Sequence, residues 1–208
     1  MGGTSARYSA LLNGALPNGT AVYATILNYP FTVEGESLPE GQAPTILDRV
    51  SNVVAPITSS AFTIRELSLS SETESALLTR FLAAMYGANK LLLNSKYKDC
   101  AIQAIATQVG ITTDVATLEY ASVIDTLTGE VSPGNNFTVN QEGIMNDVEV
   151  RQSYGGFASV PTGFDFAAAL VPGPGKLIDY TIRDAAVALY QSQHSCFNPC
   201  KSYTRRRS

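Results

Sequence analysis

The sequence predicts a mainly α-helical protein: a compact antiparallel helical core over about 71–127 plus 176–193, with extended, Gly/Pro-rich arms and a few short strands. Three observations predict it. Between residues 71 and 129, apolar side chains recur at helical spacing in three successive runs, each opened by a capping signal or closed by a glycine. A fourth run with the same period occupies 176–193. The stretches before and between these runs are rich in glycine, proline and β-prone residues, which punctuate rather than propagate a helix.

Residues 1–70 read as an extended, irregular N-terminal arm packing on the core. Thr20 to Leu27 is β-rich, and Tyr29-Pro30-Phe31-Thr32-Val33 is expected to continue it after a break. Glu34 to Pro44 holds two glycines and two prolines and reads as a loop. Thr45 to Val54 is expected to form a short helix ending before Pro56, and Ala61 to Leu67 alternates weakly, as a strand does.

Residues 71–195 form the expected core domain. Ser71-Glu72-Thr73-Glu74 has capping-box spacing, in which the Ser hydroxyl and the Glu carboxylate each accept from an exposed amide of the first turn. From Ala76 to Leu93 only Arg80 and Lys90 interrupt an apolar run covering more than one face, so this central helix is expected to be buried on most sides. Tyr97 to Val109 is the second helix, with the stripe Ala101, Ile102, Ile105 and Val109, and Gly110 is placed to stop it. Thr113 or Asp114 is expected to cap the third, with Val115, Leu118, Ala121, Ile124 and Leu127 facing inward, up to Gly129.

Residues 129–175, with eight glycines and four prolines, are expected to be a long loop. Phe137-Thr138-Val139 and Val148-Glu149-Val150 would pair as a small hairpin within it, and Tyr154, Phe157, Phe164 and Phe166 stand among small residues. The last helix is expected from Lys176 to about Gln193, its stripe running Leu177, Ile178, Thr181, Ile182, Ala185, Ala186, Leu189 and Tyr190. Residues 196–208 form a basic C-terminal tail.

Charge is scarce and unevenly placed. Only 15% of the 208 residues are charged, against about a quarter in ordinary globular chains. All 18 acidic residues but only 10 of the 14 basic ones precede residue 201, so residues 1–200 sum to −8 and the last eight to +4. An acidic body is a weak ligand for phosphate, because that affinity grows with the number of cations presented. Lys201, Arg205, Arg206 and Arg207 suit weak, salt-sensitive contact with nucleic acid or an acidic partner, and suit equally a solvated tail that keeps the chain soluble. No apolar run reaches 18 residues and the first seven lack a signal-peptide core, so neither a membrane span nor export is expected. The chain is expected inside a cell or in a virion.

The chemistry-bearing motifs are few. Pro172-Gly173-Pro174-Gly175-Lys176 resembles a phosphate loop only superficially, because Leu170 and Leu177 stand where that loop needs a glycine and a hydroxyl. His194, Cys196 and Cys200 supply three metal-ligand types where structural zinc wants four. A fourth from Cys100 is less economical than a local bridge or free thiols. Three cysteines are too few for a disulfide framework. Cys100, near Lys96 and Lys98, reads mainly as a buried thiol and secondarily as an attachment point. With one histidine and no Gly-x-Ser-x-Gly elbow, nucleophile–base catalysis lacks its parts. Glu119, Asp125, Glu142, Asp147, Asp165 and Asp179 are the carboxylates free to converge.

The reading that follows is a non-enzymatic structural subunit that self-assembles into a large array, most concretely a viral or phage coat protein with its basic tail near nucleic acid. Its partners are copies of itself and, through the tail, nucleic acid; no cofactor, metal or membrane is expected. Two alternatives stand beside it. One is a linker or antenna-type binding protein carrying a prosthetic group on Cys100, Cys196 or Cys200. The other is a hydrolase or transferase working through carboxylates of the 129–175 segment.

Overall fold

A computed structural model of the chain describes residues 3–53, 57, 61–126, 129–131 and 137–193. These residues are mainly helical. In chain order the α-helices are α1 (Thr4–Leu12), α2 (Phe31–Glu36), α3 (Val50–Val53), α4 (Glu66–Ser70), α5 (Glu72–Leu92), α6 (Lys98–Val109), α7 (Thr113–Val123), α8 (Gln141–Ser153), α9 (Phe166–Ala169) and α10 (Thr181–Gln193). A 3-10 turn at Ser95–Tyr97 precedes α6. The expected short strands are not formed among the described residues: β pairing there amounts to one isolated antiparallel bridge, Ala15 to Ala21. The chain divides into two compact units, residues 1–49 with 95–132, and residues 50–94 with 133–208.

In the first unit α6 packs on α7, α7 on α2, and α2 on α1. Gly110 ends α6 as its sequence position foretold: it takes the left-handed conformation (φ 79°) and its N–H donates to the Ala106 carbonyl. The cap of α7 lies one residue before the expected pair, with the Thr112 hydroxyl accepting from the Val115 N–H at 3.3 Å. The buried face of α7 is also not the one expected. Val115, Ala116 and Tyr120 are buried, whereas Leu118 and Ala121 are exposed. Steps of three residues drift about 60° per step around a helix, so the expected series 115, 118, 121, 124 and 127 would wind through about 240°, whereas 115, 116, 119 and 120 stay within about 140°.

The other correction in this unit concerns residues 29–33. Phe31 to Glu36 is helical, and Val33 is the largest fully buried side chain among the described residues. The Tyr8 ring lies 5.5 Å from that of Phe31. Burial against α1 and α7 outweighs the β preference of Phe, Thr and Val, which is worth about 1 kcal/mol at most. Residues 20–27 form no strand and pair only locally, the Val22 N–H donating to the Gly14 carbonyl and the Leu16 N–H to that of Thr20.

In the second unit α5 and α10 form the hydrophobic core. Leu82 and Ala83 meet Ile182 and Ala186, with Leu69, Leu78, Leu189 and Tyr190 packed around them. The helix start is as expected, since the Ser71 hydroxyl accepts from the Glu74 N–H at 3.3 Å. Tyr86 meets Tyr190 edge to face at 5.4 Å and Phe137 at 5.7 Å. The absence of a side chain at Gly87 permits this approach: a Cβ there would lie 2.8 Å from the Tyr190 ring.

Three further expectations in this unit are corrected. Helix α10 starts at Thr181 rather than Lys176, because Asp179 turns the chain, its carboxylate accepting from the Gly175 N–H (2.7 Å) and the Thr181 N–H (2.8 Å). Residues 148–150 are not a hairpin strand but part of α8, capped by Asn140, which accepts from the Gly143 N–H at 3.0 Å. With α9, capped by Asp165, this breaks the expected 129–175 loop into helices joined by turns. Finally, Ala61 to Arg65 is irregular and forms no strand, and the chain becomes helical at Glu66.

Candidate functional site

Seven residues singled out from the sequence lie outside the described part of the structure: His194, Cys196, Cys200, Lys201, Arg205, Arg206 and Arg207. Cys100, in the first turn of α6, is half-buried and disulfide-bonded. In that state it offers no thiolate, the species that both attacks and ligates.

The Pro172 to Lys176 turn does not cradle an anion. The Gly175 amide is taken by the Asp179 carboxylate, the Gly173 amide by the Ile178 carbonyl and the Lys176 amide by the Gly173 carbonyl. The donors a phosphate would need are already engaged within the chain. Hydrogen bonds from Thr181 and Gly175 hold the Asp179 carboxyl below its ordinary range, where it is ionised and stays so.

The carboxylates are dispersed in their roles. Asp165 caps α9 and Asp179 turns the chain into α10. Glu142 sits in the first turn of α8, where a negative charge favours the helix dipole. Among the described residues no three His, Cys, Asp or Glu side chains stand close enough together to hold a metal ion. Glu119 of α7 is the perturbed one. Partial burial raises its pKa above the ordinary value, and the neighbouring charges of Glu130 and Glu34 add to the effect. Its Oε2 is buried with no hydrogen-bond partner, as are the Arg7 Nε and the Thr32 Oγ1 in the same unit. Burial, then Glu34, also raise the pKa of Tyr8.

Concave places lie among the described residues of the second unit. A wide groove of about 760 Å³ runs between α4, α5 and α10, with Glu72 and Arg80 on its polar side and Leu69, Ala76 and Leu189 on the other. A smaller one, about 340 Å³, lies in the turns after α8. There Phe166 contacts both Phe157 and Phe164 with ring centroids 4.9 Å apart. The Arg151 guanidinium stands 5.8 Å from the Phe157 ring. These aromatics pack mainly on one another.

The most extensive feature is a surface. The expectation that α5 is buried on most sides is corrected. Its inner face is Leu82, Ala83 and Tyr86, while Leu77, Phe81 and Met85 point outward, 60%, 49% and 39% exposed, with Ala84 and Ala88 exposed beside them. Phe62, from the irregular segment before α4 and 51% exposed, stacks on Phe81 at 5.6 Å. The apolar excess of α5 is the sequence signal for this surface; nothing in the sequence points to Phe62.

Compared with protein families, curated proteins and solved structures, the chain matches none of them. No helix among the described residues is long and apolar enough to cross a membrane.

Proposed function

We propose that this chain is a non-enzymatic structural subunit that assembles with copies of itself into a large array, a viral or phage coat protein being the most concrete form. The observation that carries this reading is the balance of apolar side chains. Among the described residues sixteen apolar residues are buried, eleven of them larger than alanine, while twenty-one large hydrophobic side chains are exposed. Scattered exposed leucines are ordinary, but here the exposed large hydrophobic side chains outnumber the fully buried ones by about two to one. Association with neighbours would cover it. The low charge of residues 1–200 supports the same reading, since close packing of many copies multiplies any like-charge repulsion.

In this reading an antiparallel helical core forms the body of the subunit, Gly/Pro-rich segments reach neighbouring copies as arms, and the cationic tail faces nucleic acid. Size-exclusion chromatography with light scattering, followed by negative-stain microscopy, tests it. Large regular particles are expected, and a stable monomer at high concentration would overturn the proposal. Replacing Arg205, Arg206 and Arg207 together by alanine is expected to lower the co-purifying nucleic acid. An unchanged 260/280 absorbance ratio would remove the tail from that role.

A further inference from the structure

We infer that the outward face of α5, centred on Phe81, is where one copy of this chain meets another, as an antiparallel helix pair about a two-fold axis. The inference rests on the self-assembling reading above and names the surface that would serve it.

The first argument is symmetry of the sequence about one residue. Leu77 and Met85 lie four residues either side of Phe81, on the same helix face. A two-fold contact must be self-complementary, with residue i against j and j against i. An antiparallel pair crossing at Phe81 meets that condition: Phe81 faces its own copy, and Leu77 of one chain faces Met85 of the other, at both ends. Ala84 and Ala88 beside the stripe are small enough to let the two helices approach closely.

The second argument is area. Taking roughly 200 Å² for each large apolar residue, the exposed fractions of Leu77, Phe81, Met85 and Phe62 amount to about 400 Å². A standard interface covers about 800 Å² per partner, of which somewhat over half, roughly 450 Å², is apolar. The patch therefore comes close to the apolar share of one standard interface.

The third argument is charge, which also chooses among occupants. None of Leu77, Phe81, Ala84, Met85 and Ala88 is charged, so two copies meet without like-charge repulsion. The chain's own C-terminal segment, with four cations in its last eight residues, is a poor match for an uncharged stripe. A membrane surface is a poor match as well, because helices that lie in it carry a cationic polar face, and α5 mixes Glu72 and Glu74 with Arg80 and Lys90.

The test compares wild-type chain with Phe81→Asp and with Leu77→Asp/Phe81→Asp by sedimentation velocity across a concentration series, with far-UV circular dichroism on each sample. Facing aspartates bring like charges together in a desolvated pair, so self-association should weaken at least about 100-fold while helicity is kept. Gln108→Asp, at an exposed polar position outside α5, should leave association unchanged. If wild type assembles and the folded Phe81→Asp variant assembles equally well, the α5 face is overturned and the self-assembling reading survives. If wild type stays monomeric, both fall. Should the aspartate variants lose helicity, a photo-crosslinking amino acid at position 81 decides. Crosslinks to residues 77–88 of a second copy support the contact, and crosslinks confined to any other segment overturn it.

Discussion

Helices α5 and α10 close on each other with aliphatic and aromatic side chains, whereas the α1–α2–α7 region closes over polar groups as well. In the first region the contacts are Leu82, Ala83, Ile182 and Ala186, bordered by Tyr190. In the second, Val33, Ala116 and Tyr120 are buried beside the unsatisfied Oε2 of Glu119 and the Thr32 hydroxyl. Apolar contact is indifferent to pH and sensitive to volume; a buried carboxylate is the reverse. The same chain thus contains one region that responds to packing and one that responds to protons.

The comparison is broken most severely at Leu82. Leu82→Ala removes a side chain from the α5–α10 core and should cost about 2–4 kcal/mol in urea denaturation, with little dependence on pH. Gly87→Ala comes next, and two effects oppose each other there. Alanine gains about 1 kcal/mol of helix propensity, while its Cβ would intrude on the Tyr190 ring. Overpacking costs about 1–3 kcal/mol, so a net loss near 1 kcal/mol is expected. In a Tyr190→Ala background the sign should reverse and Gly87→Ala should stabilise, which a double-mutant cycle measures.

Asp179→Ala removes the acceptor for Gly175 and Thr181 at the start of α10 and should cost about 1 kcal/mol at neutral pH, as a lost cap does. Because the folded-state pKa of Asp179 lies below its ordinary 3.8, its contribution is present above that value and is lost as pH falls through the lower folded value. Asp179→Ala and wild type should therefore converge in stability in strong acid. Glu119→Gln is the smallest and runs the other way. The folded-state pKa is raised above 4.5, so ionised Glu119 opposes folding at neutral pH, and the opposition is relieved as pH falls through the raised value toward 4.5. Glutamine should stabilise by under about 1 kcal/mol at pH 7, since solvent screening discounts the effect, and by nothing below pH 4.5. A pH series of thermal melts separates the two.

What was legible in the sequence were the elements whose ends are written in local chemistry. Ser71 with Glu74, and Gly110, mark their helix ends through hydrogen bonds and backbone conformation made within a few residues. The illegible elements are those decided by distant partners. Val148-Glu149-Val150 alternates like a strand, yet helical geometry puts Val148 inside and Val150 outside, and the cap that fixes it, Asn140, stands eight residues earlier. Phe31 to Glu36 is helical because α1 and α7 bury it. The surface of α5 was half legible. Apolar content announced that both faces want covering, but only packing against α10 shows which face is already covered.

The close approach at Gly87 has a consequence for how the chain can vary. The edge of the Tyr190 ring lies 2.8 Å from where any other residue at 87 would place its first side-chain carbon, closer than van der Waals contact allows. Positions 87 and 190 are therefore coupled in what they favour. A larger residue at 87 should be better tolerated where the aromatic at 190 has shrunk, and an aromatic at 190 should be favoured where 87 is glycine. Among natural variants of this chain the two positions should change together more often than independently.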